Sequence, residues 1–119
     1  MNEMVTKIAS ILYDKKAQNI VALNVKDLTV ITDCMLIATG RSTIQVRTLA
    51  EEVEEKMAEQ GYEPIRREGM QEGRWIVLDY GELLVHLFHQ EERDFYRLDK
   101  LWEMGDNRVI LPFENSDED

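Results

Sequence analysis

Apolar and polar positions follow two rhythms along this 119-residue chain, and each change of rhythm marks a new element. Met4, Ile8, Ile11 and Leu12 recur at helical spacing, widened by Val5 and Ala9, which predicts an amphipathic first helix. Lys15 and Lys16 are expected in its last turn, where the helix dipole favours cations. A short β-type run, Ile20 to Val25, comes next, and Lys26 to Thr32 reads as a turn or a single helical turn. Asp33 to Thr39 is apolar on both faces, the pattern of a central strand.

A second helix is marked at both ends. Ser42 and Gln45 form a capping-box pair, and Gly61 is a natural stop because it adopts the left-handed conformation freely. Between them Val46, Leu49, Ala50, Val53 and Met57 make a buried stripe. Glu51, Glu52, Glu54, Glu55 and Glu59 face water, with Lys56 paired to Glu52 four residues back.

Tyr62 to Glu68 reads as a strand with Pro64 at its start or on an edge, and Gly69 to Gly73 as a turn. The stretch from Gly73 to Phe88 then holds two apolar runs around the polar corner Asp79-Tyr80-Gly81-Glu82, a hairpin. Gln90 to Met104 predicts a helix with Glu91 and Glu92 in its first turn, a stripe of Phe95, Leu98, Leu101 and Trp102, and Gly105 as its end. Arg108 to Phe113 is a short apolar segment suited to docking, and Glu114 to Asp119 an acidic, frayed tail. The order α-β-β-α-β-β-β-α predicts an α+β domain, a mixed five-stranded sheet covered by helices over residues 1–105, with an extension over 106–119.

Composition narrows what such a domain does. One core fits this length, and no segment approaches the ~18 unbroken apolar residues of a membrane span. Nothing at Met1-Asn2-Glu3-Met4 resembles a signal or transit peptide, and a single cysteine, Cys34, suits a reducing cytoplasm. The formal net charge is −10, with 24 acidic against 14 basic residues, a surface that repels phosphate backbones and is steered toward basic partners. Little direct nucleic-acid contact is expected.

Catalytic chemistry is hard to assemble. The loop Thr39-Gly40-Arg41-Ser42 joins a strand to a helix N-terminus, a natural anion seat similar to the Gly-Ser entry of nucleotidyltransferases. Those enzymes need a pair of carboxylates around two metals. Asp79 has Val77 at the same-face position, and Glu82 lies beyond the turn. His86 and His89 are three apart on a strand, hence on opposite faces and unable to share an ion. His86 reads as an interior histidine, and Cys34, in a central strand beside Asp33, as a buried, inert thiol. No enzyme, cofactor or metal is expected. Nucleotide binding at Gly40–Ser42 stands as the alternative, and a homodimeric adaptor as a third class.

Binding remains, and Trp and Tyr most often dominate interface energy, which makes Trp75, Tyr80, Tyr96 and Trp102 the candidates. Trp102, spaced with Leu98 and Phe95, fits the core. Trp75 at the hairpin entrance divides evenly between partner contact and core packing, and Tyr80 occupies the corner, where a half-exposed ring is expected.

Taken together, several motifs resemble one family. They are Asp33 to Gly40 with Ser42 opening the next helix, Gly73 to Glu82, Val85-His86-Leu87-Phe88, Arg93-Asp94-Phe95-Tyr96 and Leu98 to Trp102. In this order and spacing, from about Ile8 to Trp102, they are similar to the Iojap family of ribosomal silencing factors. The resemblance implies a nucleotidyltransferase-like topology without the catalytic carboxylates. It also implies binding to the large ribosomal subunit through ribosomal protein L-fourteen. That binding would block the small subunit and restrain translation when nutrients are scarce, with a homodimer when free. By position it implies Trp75, Leu78, Asp79 and Tyr80 as partner contacts, with Gly81 as the turn residue.

Overall fold

The computed structural model describes residues 3–116; the readings at Met1 and Asn2 and at the last three tail residues lie outside them. Its elements are α1 (Glu3–Asp14), β1 (Gln18–Asn24), β2 (Cys34–Gly40), α2 (Thr43–Glu59), β3 (Arg66–Glu68), β4 (Trp75–Asp79) and β5 (Leu83–His89), then α3 (Gln90–Tyr96), α4 (Leu98–Trp102), β6 (Arg108–Val109) and α5 (Pro112–Ser116). The strands form one sheet in the order β3-β4-β5-β2-β1-β6. Only the β2–β5 pairing is parallel, with Cys34 opposite Leu83 and Gly40 opposite His89. The class is α+β, as the pattern predicts.

Each face of the sheet has its own apolar cluster. On one, α1 and α2 bury Ile8, Leu12, Leu49, Val53 and Met57 against Leu36, Ile76, Leu78, Val85 and Leu87. On the other, Leu23, Met35, Ile37, Leu84 and Phe88 lie under Leu98 and Trp102. This two-sided burial makes all seven residues of β2 buried, which is why its sequence shows no alternation.

Chain ends and breaks explain the differences from the pattern. The sheet has six strands, not five, because Arg108 and Val109 pair with Leu23 and Ala22 of β1. Leu111 is buried in the helical-side core, so the extension expected after residue 105 is integrated into the sheet and its packing. The first helix stops at Asp14, and Lys16 takes a left-handed φ of 68°, so Lys15 and Lys16 follow the helix instead of forming its last turn. Strand 62–68 shrinks to the three exposed residues of β3.

The expected helix over 90–104 breaks in two at Arg97, which adopts φ 50° and ends α3. Phe95 and Leu101 are 79% and 64% exposed, away from the stripe that their spacing on one continuous helix suggests. The residue α3 buries is Arg93, whose guanidinium donates to Thr39 Oγ1 at 2.6 Å and to Asp99 Oδ1 at 3.2 Å.

Candidate functional site

β4 alternates half-buried and buried residues, so its side chains divide between the two faces. Ile76, Leu78 and Tyr80 join the core under α1 and α2. Trp75, Val77 and Asp79 point to the opposite face, where α3 lies over β5 and β2 and α4 over β1. Because those helices sit over the neighbouring strands, the three β4 side chains stay partly exposed.

This division separates the four residues named from resemblance. Leu78 is fully buried and offers no side-chain surface to a partner. Tyr80, expected half exposed, is only 9% exposed, because strand alternation carries it to the helical side. Burial, with Glu54 and Glu63 adding to it, pushes its phenol up to about 12. Asp79 is engaged within the hairpin, where Oδ1 accepts from the Gly81 N–H at 2.8 Å and Oδ2 pairs with Arg66 at 3.3 Å. Gly81, at φ 87°, supplies the left-handed turn residue that a tight hairpin requires. Of the four, Trp75 alone combines a large ring with a partly open position.

The ring of Trp75 is held in a defined pose. It stacks on Phe88 with centroids 4.9 Å apart and meets Tyr96 at 4.8 Å, and Tyr96 in turn packs edge-on against Phe95. Its indole Nε1–H donates to His86 Nδ1 at 3.1 Å. His86 is buried, as expected of an interior histidine, and burial lowers its pKa to about 4. A neutral imidazole that accepts at Nδ1 carries its proton on Nε2, so the indole bond selects the tautomer. The aromatic surface therefore runs from Trp75 through Tyr96 to the exposed Phe95. Sequence reasoning counts Tyr96 among the candidate binding aromatics but assigns Phe95 to the buried stripe, and the structure leaves Phe95 exposed.

Acidic groups stand next to this surface. A cleft of about 310 Å³ beside Trp75 is lined by Gly69, Glu72, Arg74, Glu92 and Tyr96. Arg74 reaches Glu92 at 2.8 Å and Glu91 at 3.5 Å. His89, Glu91 and Glu92 bring three ligand-type atoms within 4.8 Å of one another. The Arg74 guanidinium already supplies the cation there. Burial pushes the Glu92 carboxyl up, but the hydrogen bond and charge of Arg74 outweigh it and hold the group below its usual range.

The loop at Gly40–Ser42 is closed on itself. Ser42 Oγ accepts from the Gln45 N–H at 3.0 Å, and Gln45 Oε1 accepts from the Arg41 N–H at 2.6 Å. Two donors that would greet an anion are thus already used. A Cβ on Gly40 would lie 2.9 Å from Val46 Cγ2, so helix packing accounts for that glycine. Cys34 is buried, and burial, partly opposed by a backbone hydrogen bond at Met35, raises its thiol to about 11.

Fold and site together define a small α+β domain whose most developed surface is a fixed aromatic patch on a sheet face, bordered by carboxylates. A family model described as "Ribosomal silencing factor during starvation" matches residues 1–119. The chain is 46% identical over 89 residues to the ribosomal silencing factor of Halalkalibacterium halodurans, covering 75% of this chain and 76% of that one. It is 39% identical to the Bacillus subtilis factor over 89 residues, 75% of each chain. A crystal structure of a Bacillus halodurans protein superposes with a TM-score of 0.79 at 40% identity, covering 92% of this chain and 100% of that one. The chain belongs to the ribosomal silencing factor family. The names of its relatives describe regulatory factors, and among the described residues no helix is long and apolar enough to cross a membrane.

Proposed function

We propose that this chain silences translation by occupying the large ribosomal subunit, docking on ribosomal protein L-fourteen and excluding the small subunit, notably when nutrients are scarce. The observation that carries the reading is Trp75: a large ring, half-buried and locked by Phe88, Tyr96 and His86, at the margin of the sheet face. A ring already fixed in the free protein loses little entropy on docking, the property of an interface anchor. Glu72 and Glu92 beside it, within a chain of net charge −10, suit a basic ribosomal protein better than an RNA groove. Blocking then needs no chemistry, because the effect follows from occupancy. A homodimer of free chains is part of the proposal.

Sedimentation with isolated large subunits and with preformed whole ribosomes tests it. The protein is expected to travel with large subunits and to bind whole ribosomes far less. Equal binding to both, or to neither, refutes the mechanism. Trp75→Ala is expected to weaken subunit binding by roughly 30-fold, the loss of about 2 kcal/mol typical of an aromatic anchor, with the fold retained. Unchanged affinity removes Trp75 from the interface.

A further inference from the structure

A second cleft, of about 440 Å³, opens on the other side of α3 from Trp75, and its lining runs against the character of the molecule. Four basic side chains, Arg93, Arg97, Lys100 and Arg108, border it with only two carboxylates, Asp94 and Asp99, in a chain whose net charge is −10. Two of the cations are already engaged: Arg93 with Asp99 at 3.2 Å, and Arg108 with Glu114 at 3.2 Å. Arg97 and Lys100 are exposed and make no ion pair among the described residues. The fold brings these groups together from separate segments. The left-handed turn at Arg97 starts α4 and sets Arg97 and Lys100 three residues apart, while the pairing of β6 with β1 delivers Arg108 from the far end of the chain.

The cleft lining holds no aromatic side chain. A free base would have no ring to stack on, whereas a phosphate needs only charge and donors. Its place matters equally. Tyr96 of α3 touches Trp75, and Arg93 of the same helix lines the cleft, so both features flank one helix of about 10 Å diameter. A surface that meets Trp75 therefore lies about one helix diameter from Arg97 and Lys100.

We infer that this cleft receives the phosphodiester backbone of ribosomal RNA next to the docked ribosomal protein, a contact that rests on the proposed docking and adds a second, sequence-independent foothold to it. It is a local exception to the repulsion that net charge alone implies.

The test is equilibrium binding of the labelled full chain to purified large subunits over a series of potassium chloride concentrations. The variant Arg97→Asn with Lys100→Gln keeps a residue tolerant of the left-handed conformation at 97. It is expected to bind several-fold more weakly at low salt, and to flatten the plot of log affinity against log salt by about 1 for each phosphate no longer neutralised. Trp75→Ala should lower affinity without changing that slope. Lys100→Gln alone, at an exposed position, serves if the double variant has a lowered melting temperature. Binding by the parent chain with an unchanged slope in the variants overturns this inference and leaves the docking proposal standing. Tighter binding by the variants also overturns it, because a cleft facing a basic protein would gain from losing two cations. No binding of the parent chain to subunits overturns both. Calorimetric heat with ATP alone that vanishes in the double variant reassigns the cleft to a free nucleotide and likewise overturns the RNA contact.

Discussion

The bond from the Trp75 indole to His86 Nδ1 ties the pose of that ring to a protonation state. Protonated His86 would carry hydrogen on Nδ1, facing the indole N–H, and two donors cannot share one bond. Burial already opposes that proton and lowers the pKa from 6.5 to about 4. Between those values the unfolded chain binds a proton that the folded chain refuses. The contribution of His86 to stability is therefore complete above about pH 6.5 and is lost as pH falls toward 4, in all about 3 kcal/mol. Urea unfolding between pH 7 and pH 4.5 should show this loss in the native chain and lack it in His86→Phe. If both chains lose stability equally over that range, His86 is not the titrating group. Cys34 supplies a second residue-scale expectation. With its thiol raised to about 11 and buried, alkylation at pH 8 should proceed only through unfolding, and should accelerate in urea in step with the unfolded fraction.

Among the elements, the turn before β4 constrains the site most tightly. A Cβ on Gly69 would collide with the carbonyl oxygen of Trp75, and Gly69 also adopts φ 85°. Gly69→Ala is expected to cost more than about 1 kcal/mol from backbone conformation alone, and, under the proposed docking, to reduce subunit binding by shifting Trp75, the first residue of β4. A melting temperature and affinity equal to the parent's would contradict this close approach. Elements with periodic patterns were legible in the sequence. Helix α2 begins at its Ser42 cap as the Ser42–Gln45 spacing implies, and β2 is central because it has no polar face. The strand alternation that separates Trp75 from Leu78 and Tyr80 is equally present in the sequence. What could not be read was the break at Arg97. An arginine in the left-handed region has no local signature, and its cause is tertiary: Arg93 buried against Thr39 and Asp99, six residues ahead in the chain. The stripe that joined Phe95 to Leu98, Leu101 and Trp102 assumes one continuous helix, which that turn divides.

At the scale of the whole molecule, the proposed silencing by occupancy is a linkage between two associations. If this protein and the small subunit exclude each other on the large subunit, each weakens the other's binding by the same factor. Titrating small subunits into the preformed complex should release the protein, and the factor so measured should equal that by which the protein inhibits subunit joining. A factor that levels off at a finite value as small subunits are added would mean a ternary complex forms, whereas one that keeps growing is full exclusion. The C-terminal segment belongs to this scale as well. Leu111 packs in the core 1% exposed, so Leu111→Ala is expected to destabilise the entire domain by about 2–5 kcal/mol in a single cooperative unfolding transition. A separate early transition would show that the segment folds apart from the sheet. The margins of that sheet have a further consequence. One margin is β3, three exposed charged residues, Arg66, Arg67 and Glu68; the other is β6, two residues long, with Pro112 close behind. Neither offers a long apolar strand for another chain to extend, so the sheet resists fibrous growth and recognition by strand addition alike. That leaves side chains, not backbone hydrogen bonds, as the means by which a partner would read this sheet.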